Sequence, residues 1–216
     1  MQPGERAAAK RVHLDAARGV LHLGAHIGQE SAAYEDKGKP VVWVEAMPSV
    51  FAILRQNIAT REKQRALCAL LSDVDGQETR FHISNNEAGV SSSVFEFGEY
   101  GAGERTLWPE LGLTMVSTLT LTTTTLDTVL RDAGIDTSQY DYWVVDLQGA
   151  ELLALKGAVA ALAHCNALFV EASTVEVYQG GVLWPELRDW LNAAGFVPLW
   201  APEGGHDDVL CVRRHP

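Results

Sequence analysis

Four polar punctuations, each at the end of a short apolar run, are where this sequence could do chemistry. The first is Leu21-His22-Leu23-Gly24-Ala25-His26-Ile27-Gly28-Gln29. Glycines at such a strand-to-helix turn let the backbone approach a ligand closely. The helix N-terminus beyond it offers free N–H groups to an anion. A dinucleotide site would space its glycines as G-x-G-x-x-G. Counted from Gly24, that needs glycine at 26 and 29, where the chain has His26 and Gln29. The spacing argues against NAD and leaves another nucleotide-like ligand open; a tight turn without a ligand is the plain alternative.

The second segment, Val41-Val42-Trp43-Val44-Glu45-Ala46-Met47-Pro48, ends a strand in a carboxylate that can accept hydrogen bonds from two ribose hydroxyls. The third, Ala69-Leu70-Leu71-Ser72-Asp73, places Asp73 within reach of an adenine amino group, although Ser-Asp before Asp75-Gly76 is equally a turn. The fourth, Tyr142-Trp143-Val144-Val145-Asp146-Leu147-Gln148-Gly149-Ala150-Glu151, carries Asp146 and Gln148 to the same sheet edge as Gly24. Glu151 is read as a favourable charge in a first helical turn. Glu171 ends a later strand at that edge, with a salt bridge as its alternative role. His206-Asp207-Asp208 is read as the loop between the last two strands, and Ser91-Ser92-Ser93 as a loop able to line a cavity. His22 and His82 are read as structural.

Composition narrows the classes. The chain has 216 residues, 47% hydrophobic and 21% charged, which suits one globular domain. Its net charge of −11 makes it a poor partner for nucleic acid phosphates. No apolar run approaches the ~20 residues of a membrane span. No apolar segment near Met1 reads as a secretion signal, so a cytoplasmic protein is expected. Cys68, Cys165 and Cys211 are widely spaced in apolar surroundings, so reduced, buried thiols are expected and neither a disulfide framework nor a metal site.

The elements that must position these residues alternate as βαβ units, which predicts a mostly parallel sheet with helices on both faces. Strands are expected at Val20–Leu23, Val41–Val44, Leu67–Leu71, Tyr142–Val145, Ala167–Val170, Phe196–Trp200 and Val209–Val212, the last antiparallel. Helical spacing follows Pro48, runs from Leu126 to Ala133, from Leu152 to Leu162 and from Leu187 to Ala194. Residues 1–19 read as a helical appendage. Residues 74–125 read as an insertion over the sheet, with strands at Thr79–Ile83 and Ser117–Thr122 and a loop from Asn85 to Gly103.

The stretches HLGAHIGQES, VVWVEAMPSVFAILRQN, LSDVDGQ, TTLDTVL, VVDLQGAELLALKGA and LFVEAS followed by LRDWLNAAGF resemble, in this order, the FkbM-type family of S-adenosylmethionine (SAM)-dependent methyltransferases. They cover roughly residues 20 to 213. The resemblance implies a Rossmann-like SAM-methyltransferase fold and methyl transfer, usually to an oxygen of a sugar or natural product. It puts Gly24, Gly28, Glu45, Asp73 and Asp146 on cofactor positions. The family usually has Asp at position 22 and Asn at 26, often Lys at 144 and Glu at 148. Here these are His22, His26, Val144 and Gln148.

The expected site follows. Gly24, Ala25, His26, Gly28, Glu45, Ala46, Ser72, Asp73, Asp146 and Leu147 bind SAM. Ser92, Gln148 and His206 meet a small-molecule acceptor. Asp146 and Glu171 are the catalytic pair, with His26 and His206 as further candidates for a general base, and no metal is called for. The departures at 144 and 148 also admit a SAM-binding module without transfer activity; an NAD-dependent oxidoreductase is the third reading. Glu45→Ala is expected to weaken SAM binding about ten- to a hundredfold by calorimetry, the worth of a lost hydrogen bond to a charged group, roughly 1.5–3 kcal/mol.

Overall fold

The computed structural model describes residues 1–214. Helix α1 (Pro3–Ala16) precedes β1 (Val20–Leu23), α2 (Ser31–Asp36), β2 (Val41–Glu45), α3 (Pro48–Asn57) and β3 (Gln64–Cys68). Next come β4 (Leu70–Leu71), β5 (Glu78–Ser84), β6 (Met115–Thr124) and α4 (Leu126–Asp132). The chain then forms β7 (Tyr142–Val145), α5 (Glu151–Lys156), α6 (Val159–Leu162), β8 (Ala167–Ser173), α7 (Trp184–Ala193), β9 (Phe196–Pro198) and β10 (His206–Arg213).

The main sheet has the order β3-β2-β1-β7-β8-β10-β9. β1 pairs in parallel with both β2 and β7, β2 with β3, and β7 with β8. β10 runs antiparallel to β8 and β9. Every residue of β1, β2 and β7 is buried. Successive strand residues point to opposite faces, so such strands must be covered on both, which explains their unbroken apolar runs. The strand order reverses between β1 and β7. That is the switch point where open α/β sheets leave a crevice beyond the C-terminal strand ends.

β5 and β6, from the residues expected as an insertion, form a second sheet with β4, which precedes them; β6 lies between β4 and β5. Phe81 of this sheet packs in one cluster with Met47, Val50 and Leu70, so the ribbon is seated beside the start of α3.

Four boundaries differ from the sequence reading. The run Leu67–Leu71 is two strands: the Ala69 amide makes a last bond to Glu45, and Leu70 and Leu71 then pair with Thr123 and Thr124; Cys68, expected to be buried, is exposed at the end of β3, whereas Cys165 and Cys211 are buried. β9 ends at Pro198, two residues short of the expected end, although the Leu199 amide still donates to Leu210 O at 2.8 Å. His206–Asp208 belong to β10 and pair with Ser173, Ala172 and Glu171, so they are not a loop.

The stripe from Leu152 to Leu162 is two helices, α5 and α6, broken around Gly157. A Cβ at Gly157 would overlap the Ser72 carbonyl oxygen, so the chain can cross there only as glycine. α6 restarts with the Ala160 and Ala161 amides donating to the two Asp127 carboxylate oxygens at 2.7 and 2.9 Å. Val159, counted in the apolar stripe, is 77% exposed as a result of the break. Gly157→Ala should therefore cost roughly 1–3 kcal/mol, as overpacking against backbone does. Urea unfolding should show a lower midpoint at an unchanged slope.

Candidate functional site

The turn after β1 holds Gly24 at φ +82°, His26 at +46° and Gly28 at +76°. A Cβ on Gly24 would overlap the Asp146 carbonyl oxygen, so glycine is needed there for the end of β7 to close against the turn. The sequence argument put ligand space first; the backbone contact is the stronger constraint. A Cβ on Gly28 would come within 2.7 Å of Leu54 Cδ1, so this glycine seats the turn on α3.

Glu45, at the end of β2, is only 6% exposed. Its Oε2 accepts the His26 N–H at 2.9 Å and its Oε1 the Met47 N–H at 2.8 Å. Burial raises its pKa, and these backbone bonds pull it back down. A carboxylate oxygen can accept more than one hydrogen bond, so both oxygens keep capacity for ligand hydroxyls. Glu45→Ala would also free two backbone N–H groups.

The His26 ring is oriented by Gln29, whose side-chain nitrogen lies 2.9 Å from Nδ1. An amide nitrogen only donates, so Nδ1 accepts and Nε2 carries the proton. That Nε2 is buried and, among the described residues, has no partner. It is a donor waiting for an acceptor.

These groups open on a cleft of about 830 Å³, part of it open to solvent. Gly24, Ala25, His26, Glu45 and Ala46 line one side, and Ser92, Asp146, Leu147 and Gln148 another. Met47, Leu70, Leu71, Phe81 and Val94 make an apolar wall. The charged residues of the lining are Glu30, Glu45 and Asp146, with no lysine or arginine.

Gly28, Ser72, Asp73, Glu171 and His206 are not in that lining. After Leu71 the chain turns away from the cleft: Asp73 is exposed and accepts a bond from Ser72 Oγ at 3.1 Å. Leu70 and Leu71 face the cleft in their place.

Glu171 and His206 instead stand behind Asp146 in one polar chain. The side-chain nitrogen of Gln148 donates to Asp146 and, at 3.0 and 3.2 Å, to the two oxygens of Glu171. His206 Nε2 meets Glu171 Oε1 at 2.8 Å, and its Nδ1 meets Ser173 Oγ at 2.8 Å. Both ring nitrogens of His206 are thus engaged within the protein. Burial, then the neighbouring Glu171 charge, raises the Asp146 pKa well above the carboxylate range. Burial followed by Glu151 does the same to Glu171. Glu151 accepts the Leu147 and Gly149 amides at 2.9 and 3.1 Å, and burial lifts it to about 7.

Sequence reasoning did not single out Tyr178, whose hydroxyl donates to the Gln148 side-chain oxygen. No local pattern marks it, because the contact spans thirty residues of chain. Phe81 and Val94 were also missed as cleft residues. The alternation around Phe81 was visible, but the face it presents depends on how the second sheet docks.

The sequence profile of the methyltransferase FkbM domain matches residues 22–198. Among solved structures, the SAM-bound magnesium protoporphyrin IX methyltransferase of Synechocystis PCC 6803 is similar with a TM-score of 0.51 at 11% identity, over 98% of this chain and 77% of that one. EvdMO1 is similar with a TM-score of 0.52 at 14% identity, over 99% of this chain and 41% of that one. At these identities the likeness is one of fold. A search of curated proteins finds no match. Since the matched region spans most of the chain, with β2 to β9, the turns after β1 and β2, and Asp146, Gln148 and Glu171, the protein belongs to the FkbM methyltransferase family.

Proposed function

We propose that this protein binds SAM in the cleft and transfers its methyl group to a hydroxyl of a small molecule, a sugar or natural product. The observation that carries the reading is the meeting, in one cleft at the switch point, of three groups. They are a buried carboxylate with spare acceptor capacity (Glu45), a buried donor that no described residue partners (His26 Nε2) and a strand-end carboxylate of raised pKa (Asp146).

The residues present fit the cofactor. Glu45 would receive the ribose hydroxyls, the apolar wall of Met47, Leu70 and Phe81 the adenine, and His26 Nε2–H the methionine carboxylate. Three carboxylates and no cation in the lining suit a ligand that carries a sulfonium. Bound SAM supplies a methyl group activated for one-step displacement. Asp146 lies on the cleft wall and would accept the proton that the acceptor hydroxyl loses as its oxygen gains the methyl group. Gln148 holds Asp146 by an N–H donor, and Glu171 beside it favours the protonated product state. Ser92, which lines the cleft, would contact the acceptor. Glu171 and His206 act from behind the wall.

The reading is tested by titrating the protein with SAM and, separately, with NAD. SAM binding without NAD binding is expected. Incubation with labelled SAM and the host's small-molecule extract, followed by mass spectrometry, should reveal a methylated product. Binding of SAM with no labelled product across such extracts would make the protein a binding module.

Asp146→Asn keeps the shape and removes the base. Transfer should fall about 10²–10⁴-fold, the usual worth of a positioned base, while Gln148→Ala, which removes no titrating group, should cost less. In the wild type the rate should rise with pH through the Asp146 pKa, which lies above the usual carboxylate range.

The same variant should be more stable. A carboxyl whose pKa is raised in the folded state contributes stability below its unfolded pKa, and this is lost as pH rises through the folded value. At pH 7–8, Asp146→Asn should therefore melt above the wild type in calorimetry, with the gap closing toward pH 4. A lower melting temperature at every pH would count against a strained carboxyl at this position.

A further inference from the structure

The side-chain amide of Gln148 serves two opposite demands. Its nitrogen faces Asp146 and Glu171, and its oxygen faces a phenol. Its backbone is held at φ +55°, and its carbonyl accepts a bond from Ser93 Oγ at 2.7 Å. No single carboxylate or amine side chain could donate to two carboxylates and accept from a phenol at once.

The phenol comes from far away in sequence. Tyr178 is 4% exposed, and its ring stacks on Phe97 with centroids 5.5 Å apart. The segment around it is laced to the loop before Gly103: the Gly98 amide donates to Val177 O at 2.8 Å, and the Gln179 amide to Glu96 O at 2.9 Å. This pair of segments reaches the end of β7 through two polar side chains, Tyr178 and Ser93, and both engage Gln148.

An amide can be turned over, exchanging its oxygen and nitrogen. Turned over, Gln148 would point its oxygen at two carboxylates. We propose that Tyr178 is a positioning residue of this site: its O–H fixes the Gln148 amide in the orientation that presents N–H donors to Asp146 and Glu171. In functional terms this rests on reading Asp146 as the acceptor's base. It also assigns a role to the departure at position 148, where an amide, not a carboxylate, completes the set.

The groups around Asp146 are Glu171 on β8, Glu151 on α5, and His206 and Asp208 on β10. N–H donation favours the ionised form of a carboxyl, so loss of the fixed amide moves its titration upward. The experiment is a carboxyl ¹³C NMR titration of the full chain without cofactor or acceptor. It compares wild type, Tyr178→Phe, Gln148→Ala and the double variant. Tyr178→Phe removes one oxygen and keeps the stack on Phe97. It should raise the Asp146–Glu171 midpoint by roughly 0.5–1 pH unit, the equivalent of one ordinary hydrogen bond. Gln148→Ala should raise it further, and the double variant should match Gln148→Ala. An unmoved midpoint in Tyr178→Phe, or shifts that simply add in the double variant, would overturn the proposal.

The wild type gives an answer that needs no variant. Both Gln148 side-chain N–H protons should be resolved and slow to exchange with solvent, and a rapidly exchanging, averaged pair would also overturn it. A failed SAM titration would strike the functional reading and leave these NMR results unaffected, so the two can fail separately.

Discussion

The site depends on two stretches of bare backbone meeting at the sheet's reversal point. Gly24 has no side chain, so the Asp146 carbonyl can come in against it. The Asp146 amide in turn extends the ladder to Leu23 O at 3.0 Å. That closeness aligns the turn after β1 with the turn after β7. Glu45 then ties the adjoining loops by receiving the His26 and Met47 amides. Three loops from three strands thus share one fixed geometry, and the cleft is the space they leave.

Against that rigid frame stands a costly concentration of carboxyls. Asp146, Glu171 and Glu151 all have raised pKa values, with burial as the first cause. Neutral donors relieve part of this: the Gln148 amide, His206 and the backbone N–H groups at the start of α5. His22 and Val144 are register partners across β1 and β7. His22 stacks on Trp43 at 4.8 Å and meets Tyr34 Oη at 3.2 Å. Its pKa is pushed down to about 3 by burial, so it sits there uncharged.

Much of this was legible in the sequence because it is local. The apolar runs of β1, β2, β7 and β8, the Pro48 start of α3 and the Gly24 turn follow from period and turn chemistry within a few residues. So does the placing of Glu45 and Asp146 at strand ends. What was not legible depends on contacts between distant segments. Gly157 reads as an ordinary break in a helical stripe until the Ser72 carbonyl is seen against it. His206–Asp208 are polar enough to read as a loop, yet the β8 edge recruits them as strand. Asp73 was given to the adenine by its position past a strand, but that strand leaves the main sheet at Ala69 and carries Asp73 out to solvent. Tyr178 is invisible for the same reason: its partner is fixed by topology, not by spacing.

The antiparallel β10 has a consequence for how the molecule is made. It lies inside the sheet, between β8 and β9, although it is the last strand among the described residues. β9 joins the sheet through β10, so neither can dock early. Until β10 is in place, β8 presents an open edge beginning Ala167-Leu168-Phe169-Val170, an apolar template of the kind that invites wrong pairing. Glu171 is meanwhile without His206, which arrives on the same strand. The closing of the sheet is therefore also the step that completes the polar chain behind Asp146.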